Sequence, residues 1–122
     1  MNNTISGEKE TNPTIINDLI VAAIQDVNGK DIKKFDLRQL EEASADFYII
    51  CHANSSTQMS GIIGMIAKRL QEKTSWRANH SEGSKSWMLI DYFSVVIHVF
   101  SEEKRRFYNL DGLWNDAIIT TY

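Results

Sequence analysis

The sequence W-M-L-I-D-Y-F-S-V-V-I-H-V-F, residues 87–100, decides the fold. Its two halves have the composition of β-strands and are joined by a short link, which predicts an antiparallel hairpin. The link is either residues 92–93 or residues 91–94. In both cases Ile90 is expected opposite Val95, and Trp87 opposite His98.

The two faces of this hairpin differ in chemistry. The first face is purely aliphatic and carries Met88, Ile90, Val95, Ile97 and Val99. The second face carries Trp87, Leu89, Asp91, Val96, His98 and Phe100. An aliphatic face is what a sheet presents to covering helices, whereas a face that mixes aromatic rings, histidine and an acid is amphipathic. We therefore expect the first face in the core and the second on a contact surface. The alternative is that Trp87, Leu89 and Phe100 pack under another element while His98 finds a hydrogen bond.

Composition indicates one globular domain. The chain has 122 residues, of which 43% are hydrophobic and 24% charged, and no apolar run approaches the length of a membrane span. Residues 1–13 lack the pattern of a secretory signal or a mitochondrial leader, so we interpret them as a disordered polar arm before a domain at 14–122. The net charge of −3 argues against a protein that mainly grips nucleic-acid phosphates. The single cysteine, Cys51, is interpreted as a buried strand residue in a protein of the reducing cytoplasm.

Hydrophobic periodicity predicts the remaining elements. The expected order is helix, strand, strand, helix, strand, strand, strand, helix. The first helix is expected to be capped by Thr14 and to end at a left-handed Gly29, and strands are expected at 30–38 and 46–52. A second helix is expected after residues 53–58, running to about Lys73, and a third strand at 76–80. After the hairpin we expect a short C-terminal helix containing Phe107, Tyr108, Leu110, Leu113 and Trp114.

These elements predict an α/β fold. We expect a mixed sheet of about five strands, with the run at 46–52 in its middle and the two long helices on its aliphatic face. Gly61 and Gly64 lower the helix propensity of the second helix, and close packing of that helix on the sheet is the expected reason for them.

No catalytic or ligand-binding motif is found. Neither of the glycine-rich phosphate loops occurs, and the three histidines are spaced unlike any metal-ligand motif. The chain has no D-x-D pair, and Asp46 and Asp91 at strand ends are interpreted as turn formers. The sequence therefore predicts no enzyme, no cofactor and no metal.

Several segments together resemble the ribosomal silencing factor family, also called Iojap-like proteins. The matching segments are K-D-I at 30–32, A-D-F-Y-I-I-C at 45–51, N-S-S-T-Q at 54–58, E-G at 82–83, W-M-L-I-D-Y at 87–92, V-V-I-H-V-F at 95–100 and R-R-F-Y-N-L-D-G-L-W-N-D-A at 105–117. The resemblance extends from residue 15 to the end of the chain.

This resemblance implies a non-enzymatic, cytoplasmic, ribosome-associated factor with a nucleotidyltransferase-like sheet. Family members bind the large ribosomal subunit through the ribosomal protein L-fourteen. For this chain, whose net charge is −3, we expect little or no direct contact to nucleic acid. By occupying that surface they block joining of the small subunit and repress translation when nutrients are scarce, and they can self-associate when free. Two alternatives remain: a biogenesis factor of the large subunit that binds ribosomal RNA, and an enzyme related to nucleotidyltransferases.

The partner-binding residues are expected on the amphipathic hairpin face and the following helix. They are Trp87 and Phe100 as anchors, Leu89 and His98 beside them, Asp91 to pair with a basic group, and Arg105 and Tyr108 to extend the patch. Two positions depart from the family pattern. Phe93 stands where glycine is common in the hairpin turn, which favours the four-residue link, because a positive φ would cost Phe about 1 kcal/mol. Asp111 stands where glutamate is usual, and we interpret it as a solvated helix charge.

Overall fold

The computed structural model describes residues 11–122, and they form one α/β domain. The elements, in chain order, are α1 (Pro13–Asp26), β1 (Lys30–Asp36), β2 (Phe47–Ala53), α2 (Ser56–Lys73), β3 (His80–Gly83), β4 (Trp87–Asp91), β5 (Val95–Ser101), α3 (Glu102–Tyr108), α4 (Leu110–Leu113) and β6 (Ile118–Thr121). No helix in this part of the chain is long and apolar enough to cross a membrane. Of the predicted polar arm, residues 1–10 lie outside the described residues, and Pro13 is already the first residue of α1.

The strands form one mixed sheet in the order β3-β4-β5-β2-β1-β6. β2 and β5 are parallel, and every other neighbouring pair is antiparallel. The predicted fold class is confirmed, with β2 in the middle of the sheet. The sheet has one strand more than the five expected, because β6 returns along β1 and pairs Ile119 with Phe35.

The main core lies between the sheet and its two long helices, as predicted. α1 and α2 pack against each other and against the aliphatic face, whose residues Ile90, Val95, Ile97 and Val99 are buried. Cys51 is fully buried on the same side, and burial raises the pKa of its thiol to about 12. A thiol that stays protonated at neutral pH is not a nucleophile, in agreement with the interpretation of Cys51 as a strand residue.

The hairpin has the predicted faces but a different register. Trp87 lies opposite Phe100 and Leu89 opposite His98, so the pairing is displaced by two residues from the prediction. The link is residues 93–94, because the amide of Tyr92 donates to the carbonyl of Val95 at 2.9 Å. An even displacement keeps every side chain on its face, since the side-chain period of a strand is two.

The four-residue link expected from Phe93 was wrong. Phe93 adopts φ 68°, and the amide of Ser94 donates to the carbonyl of Tyr92 at 2.9 Å across it. The carboxylate of Asp91 accepts a 2.7 Å hydrogen bond from the amide of Phe93. This side-chain bond stabilises the turn and offsets part of the cost of the positive φ.

The ends of α1 differ from the prediction. Its N-cap is Asn12, whose side chain accepts a 2.9 Å hydrogen bond from the amide of Thr14, so Thr14 is not the cap. The left-handed residue after the helix is Asn28, with φ 59°, rather than Gly29. Gly29 is needed for room instead, because a Cβ there would overlap the side chain of Ile24.

The ends of α2 agree with the sequence, but its glycines do not pack as predicted. Ser55 caps the helix and accepts a 3.0 Å hydrogen bond from the amide of Gln58. A Cβ on Gly61 would touch Val27 next to α1, and one on Gly64 would meet no atom within 4 Å. Neither glycine is required for close packing of α2 on the sheet.

The remaining strand and helix predictions need three corrections. The third strand is His80–Gly83, shifted from the predicted residues 76–80. The C-terminal helix is broken into α3 and α4 because Asn109 between them is left-handed, with φ 50° and ψ 50°. The residues after α4 then form β6, which was not predicted.

Candidate partner-binding surface

An aromatic stripe crosses the sheet face that lies opposite α1 and α2. Its rings, in order, are those of Phe107, Tyr108, Trp87, Phe100, His98, Tyr48 and Trp114. The shortest distance between successive ring centroids is 4.7 Å, for Tyr108 and Trp87, and the longest is 6.1 Å, for Phe100 and His98. Contacts of this length hold each ring in place through its neighbours.

Trp87 is fixed from two sides. Its ring stacks on Phe100 at 5.1 Å between centroids and contacts Tyr108 at 4.7 Å. Its Nε1 donates a 3.1 Å hydrogen bond to Nδ1 of His98. Burial lowers the pKa of His98 to about 4, so the imidazole is neutral at pH 7 and Nδ1 stays an acceptor. The orientation of Trp87 is therefore set before any partner arrives.

One end of the stripe is exposed. The exposed fraction is 73% for Phe107 and 44% for Tyr108, and Trp87 and Leu89 are partly exposed. Trp87, Leu89 and Tyr108 line a groove of about 310 Å³. The other lining residues are Glu82, Gly83, Ser84 and Ser86. Aromatic walls beside an acidic residue suit a partner segment that combines apolar and basic groups.

The other end of the stripe is covered, which corrects the expected open face. Phe100 is fully buried and His98 is 6% exposed. Leu110, Trp114 and Ala117, which follow α3, pack against the small core cluster that contains Phe100. Phe100 and His98 therefore support Trp87 from beneath and do not reach the surface. Asp91 is partly exposed, at the hairpin turn that its carboxylate stabilises.

Arg105 is also buried rather than on the surface. It is 7% exposed, and its guanidinium donates to the carbonyl oxygen of Asp31 at 2.6 Å and to the carboxylate of Asp111 at 3.0 and 3.3 Å. Its Nη1 lies 3.0 Å from Nδ1 of His52. These contacts join α3, α4, β1 and β2 beside a second cavity of about 320 Å³.

Asp111 is an ion-pair partner and not the solvated charge we expected. Burial raises the pKa of its carboxyl, but the hydrogen bonds and the charge of Arg105 outweigh this effect, and the pKa lies below its ordinary value. Lys33 adds a contact at 3.7 Å. Asp111 is therefore charged at neutral pH and matches the charge of Arg105.

Three of the side chains expected on the contact surface lie together in the structure, and other residues beside them were not expected. Trp87, Leu89 and Tyr108 meet as predicted, whereas Phe107, Glu82 and Gly83 were not proposed. The motif E-G at 82–83 was a usable signal, because β3 pairs with β4 and places Glu82 opposite Leu89. Within residues 11–122, no group of three or more His, Cys, Asp or Glu side chains is arranged to hold a metal ion.

The fold and the surface define a small mixed α/β domain with a groove lined by aromatic side chains. Comparison with known proteins gives the family. The model of the family described as "ribosomal silencing factor during starvation" matches residues 9–121. The chain therefore belongs to the ribosomal silencing factor family.

Individual relatives agree with this assignment. The chain is 36% identical over 101 residues to ribosomal silencing factor RsfS of Halalkalibacterium halodurans, covering 81% of this chain and 85% of the relative. It is 35% identical to the protein of the same name from Bacillus subtilis, covering 81% and 84%. A crystal structure of a Chromobacterium violaceum protein superposes with a TM-score of 0.80 at 28% identity, covering 86% of this chain and 88% of that one.

Proposed function

We propose that this chain silences the large ribosomal subunit by steric exclusion. In this account it binds the ribosomal protein L-fourteen through the exposed end of the aromatic stripe. The bound domain then occupies space that the small subunit needs for joining, and translation falls when nutrients are limiting. No chemical step is required, because a folded domain in that position is itself the obstacle.

The observation that carries the proposal is the exposed contact between Trp87 and Tyr108. Both rings belong to the aromatic stripe, with 4.7 Å between their centroids, and both line the groove on the sheet face opposite α1 and α2. Rigid aromatic side chains of this kind dominate protein interfaces because they bury a large area with little loss of conformational entropy. A nanomolar to micromolar affinity corresponds to about 8 to 12 kcal/mol, which a few such anchors within an ordinary interface supply.

The test is binding of the isolated ribosomal protein by the Trp87→Ala variant. We expect the affinity to fall by about 30-fold or more, the loss typical of a central aromatic anchor. Circular dichroism checks that the variant is folded. A folded Trp87→Ala protein with wild-type affinity would remove Trp87 from the binding surface.

Phe93→Ala is the matched control. Phe93 is an aromatic residue with 67% exposure, and it lies at the turn of the same hairpin. The four strand steps from Trp87 to Asp91 already span about 13 Å, and Phe93 lies beyond them at the turn. We expect Phe93→Ala to change the affinity by no more than about twofold. A tenfold change in affinity corresponds to about 1.4 kcal/mol, and a peripheral contact is worth much less.

Three further parts of the proposal follow from the family. The protein acts in the cytoplasm, where its ribosomal target is found. Contact with nucleic acid is slight, which agrees with the net charge of −3. When free of the ribosome it self-associates, and sedimentation equilibrium across a range of concentrations measures this directly.

A further inference from the structure

α3, the helix that carries Tyr108, is too short to hold its own position. It has seven residues, and isolated helices shorter than about 12 residues are marginal in water. Its first turn is fixed, because Ser101 at the end of β5 caps it with a 3.2 Å hydrogen bond from the amide of Lys104. Tyr108 is at the opposite end, so some other contact must fix that end.

Arg105 makes that contact. It lies in the last turn of α3, one turn before the left-handed Asn109. Its guanidinium crosses the corner between α3 and α4 and holds both carboxylate oxygens of Asp111, at 3.3 and 3.0 Å. A bidentate pair of this kind fixes orientation as well as distance.

The same guanidinium ties the corner to the sheet. Its Nη1 donates to the backbone carbonyl of Asp31 at 2.6 Å. Asp31 lies in an irregularity of β1, between Lys30 and Lys33, and has a positive φ of 50°. The bond to Arg105 satisfies a carbonyl of this irregular backbone.

Arg105 offers a partner little surface while it makes these bonds. It is 7% exposed, whereas Tyr108, three residues later, is 44% exposed and lies 4.7 Å from Trp87 between ring centroids. Arg105 thus lies beneath the surface that it shapes, and Tyr108 lies on that surface.

We propose that Arg105 is a positioning residue of the binding surface: it ties the α3–α4 corner through Asp111 to the irregular segment of β1 and thereby holds Tyr108 against Trp87. This inference rests on the proposed function for its binding readout. Its structural readout does not depend on any partner.

The test compares Arg105→Gln with Arg106→Gln. Both variants remove one positive charge from the same turn, but Arg106 is exposed and pairs only with Glu102 of its own helix among its described ion pairs, at 3.2 Å. We expect Arg105→Gln to weaken binding of the isolated ribosomal protein at least tenfold. Arg106→Gln is expected to stay within twofold of the wild type.

Nuclear Overhauser effects between the Tyr108 and Trp87 rings report whether the two rings are in contact. A general loss of stability leaves them unchanged as long as the protein is folded. They are measured in the folded protein without partner. We expect them to be lost or strongly weakened in Arg105→Gln and retained in Arg106→Gln. Should Arg105→Gln fail to fold, Asp111→Asn takes its place with the same expectations, because it removes the charge and replaces one of the two oxygens that accept from Arg105 by an NH2 donor.

A double variant separates positioning from direct contact. If Arg105 acts through Tyr108, then Arg105→Gln added to Tyr108→Ala lowers the affinity by no more than twofold beyond Tyr108→Ala alone. Retained ring contacts together with reduced affinity would mean that Arg105 touches the partner, and would overturn the proposal. The proposal would also be overturned if Arg105→Gln changed neither the ring contacts nor the affinity. If the wild type itself does not bind, the proposed function fails, and the ring contacts alone decide the role of Arg105.

Discussion

At the scale of single residues, the neutral state of His98 keeps the acceptor that orients Trp87. His98 is 6% exposed, and its Nδ1 accepts the indole proton of Trp87 at 3.1 Å. A protonated imidazole has no acceptor, so it would leave the Trp87 donor without its partner. The side chain that was expected to touch the partner thus acts as an acceptor that fixes the anchor.

This arrangement predicts a particular dependence of stability on pH. The pKa of His98 is about 4 in the folded protein, below the ordinary value of 6.5, so the unfolded chain binds more protons between these values. The free energy of unfolding therefore falls as the pH decreases from 6.5 to 4, by about 3 kcal/mol from His98 alone. Urea unfolding at a series of pH values measures this loss.

His98→Gln is the control for that measurement, because its amide oxygen is an acceptor that does not titrate. The variant should show a flatter pH profile over the same interval. His52, whose pKa is also lowered by burial and by the charge of Arg105, remains in the variant and accounts for part of the residual slope. Identical profiles for the two proteins would contradict the assignment of the pH dependence to His98.

At the scale of elements, the two faces of the β4–β5 hairpin differ in burial, and the proposed function assigns stability to one and binding to the other. Its helix-facing side is buried apart from the partly exposed Met88, with Ile97 at 0% exposure opposite Ile90. Its opposite side carries Trp87 and Leu89 in the groove. Truncation on the two sides should therefore have different consequences.

We predict that Ile97→Ala lowers the free energy of unfolding by about 2 to 5 kcal/mol through the cavity it creates. At temperatures at which it is folded, this variant should bind the ribosomal protein as the wild type does. Leu89→Ala should show the reverse, with a small loss of stability and a clear loss of affinity. Denaturant unfolding and calorimetric titration of both variants check this. A stable Ile97→Ala protein that fails to bind would contradict this assignment of stability and binding to the two faces.

The elements also show what sequence could and could not provide. The faces of the hairpin were predictable because alternation depends only on the period of a strand, whereas its register depended on Phe93 accepting a positive φ. The break at Asn109 and the strand β6 were also missed, because neither has a periodic pattern in the sequence. A single left-handed residue ends α3, and β6 is four exposed residues without alternating burial.

At the scale of the whole molecule, the sheet order explains where the surface lies. α1 and α2 cover one face, and the segment from Leu110 to Ala117 covers the part of the other face around Phe100. The corner where β3, β4 and the end of α3 meet, beside Trp87, stays open. This folding back of the C-terminal segment is a long-range event, so the local pattern left burial of Phe100 and His98 as an open alternative and gave no sign that Arg105 would be buried.

The central claim is that the bound domain prevents the two ribosomal subunits from joining. The most direct measurement is sedimentation of purified large and small subunits in magnesium, with and without this protein, while following where the protein migrates. The account predicts that the protein migrates with the large subunit and that joined particles decrease. A protein that stays at the top of the gradient, with joining unaffected, would contradict it.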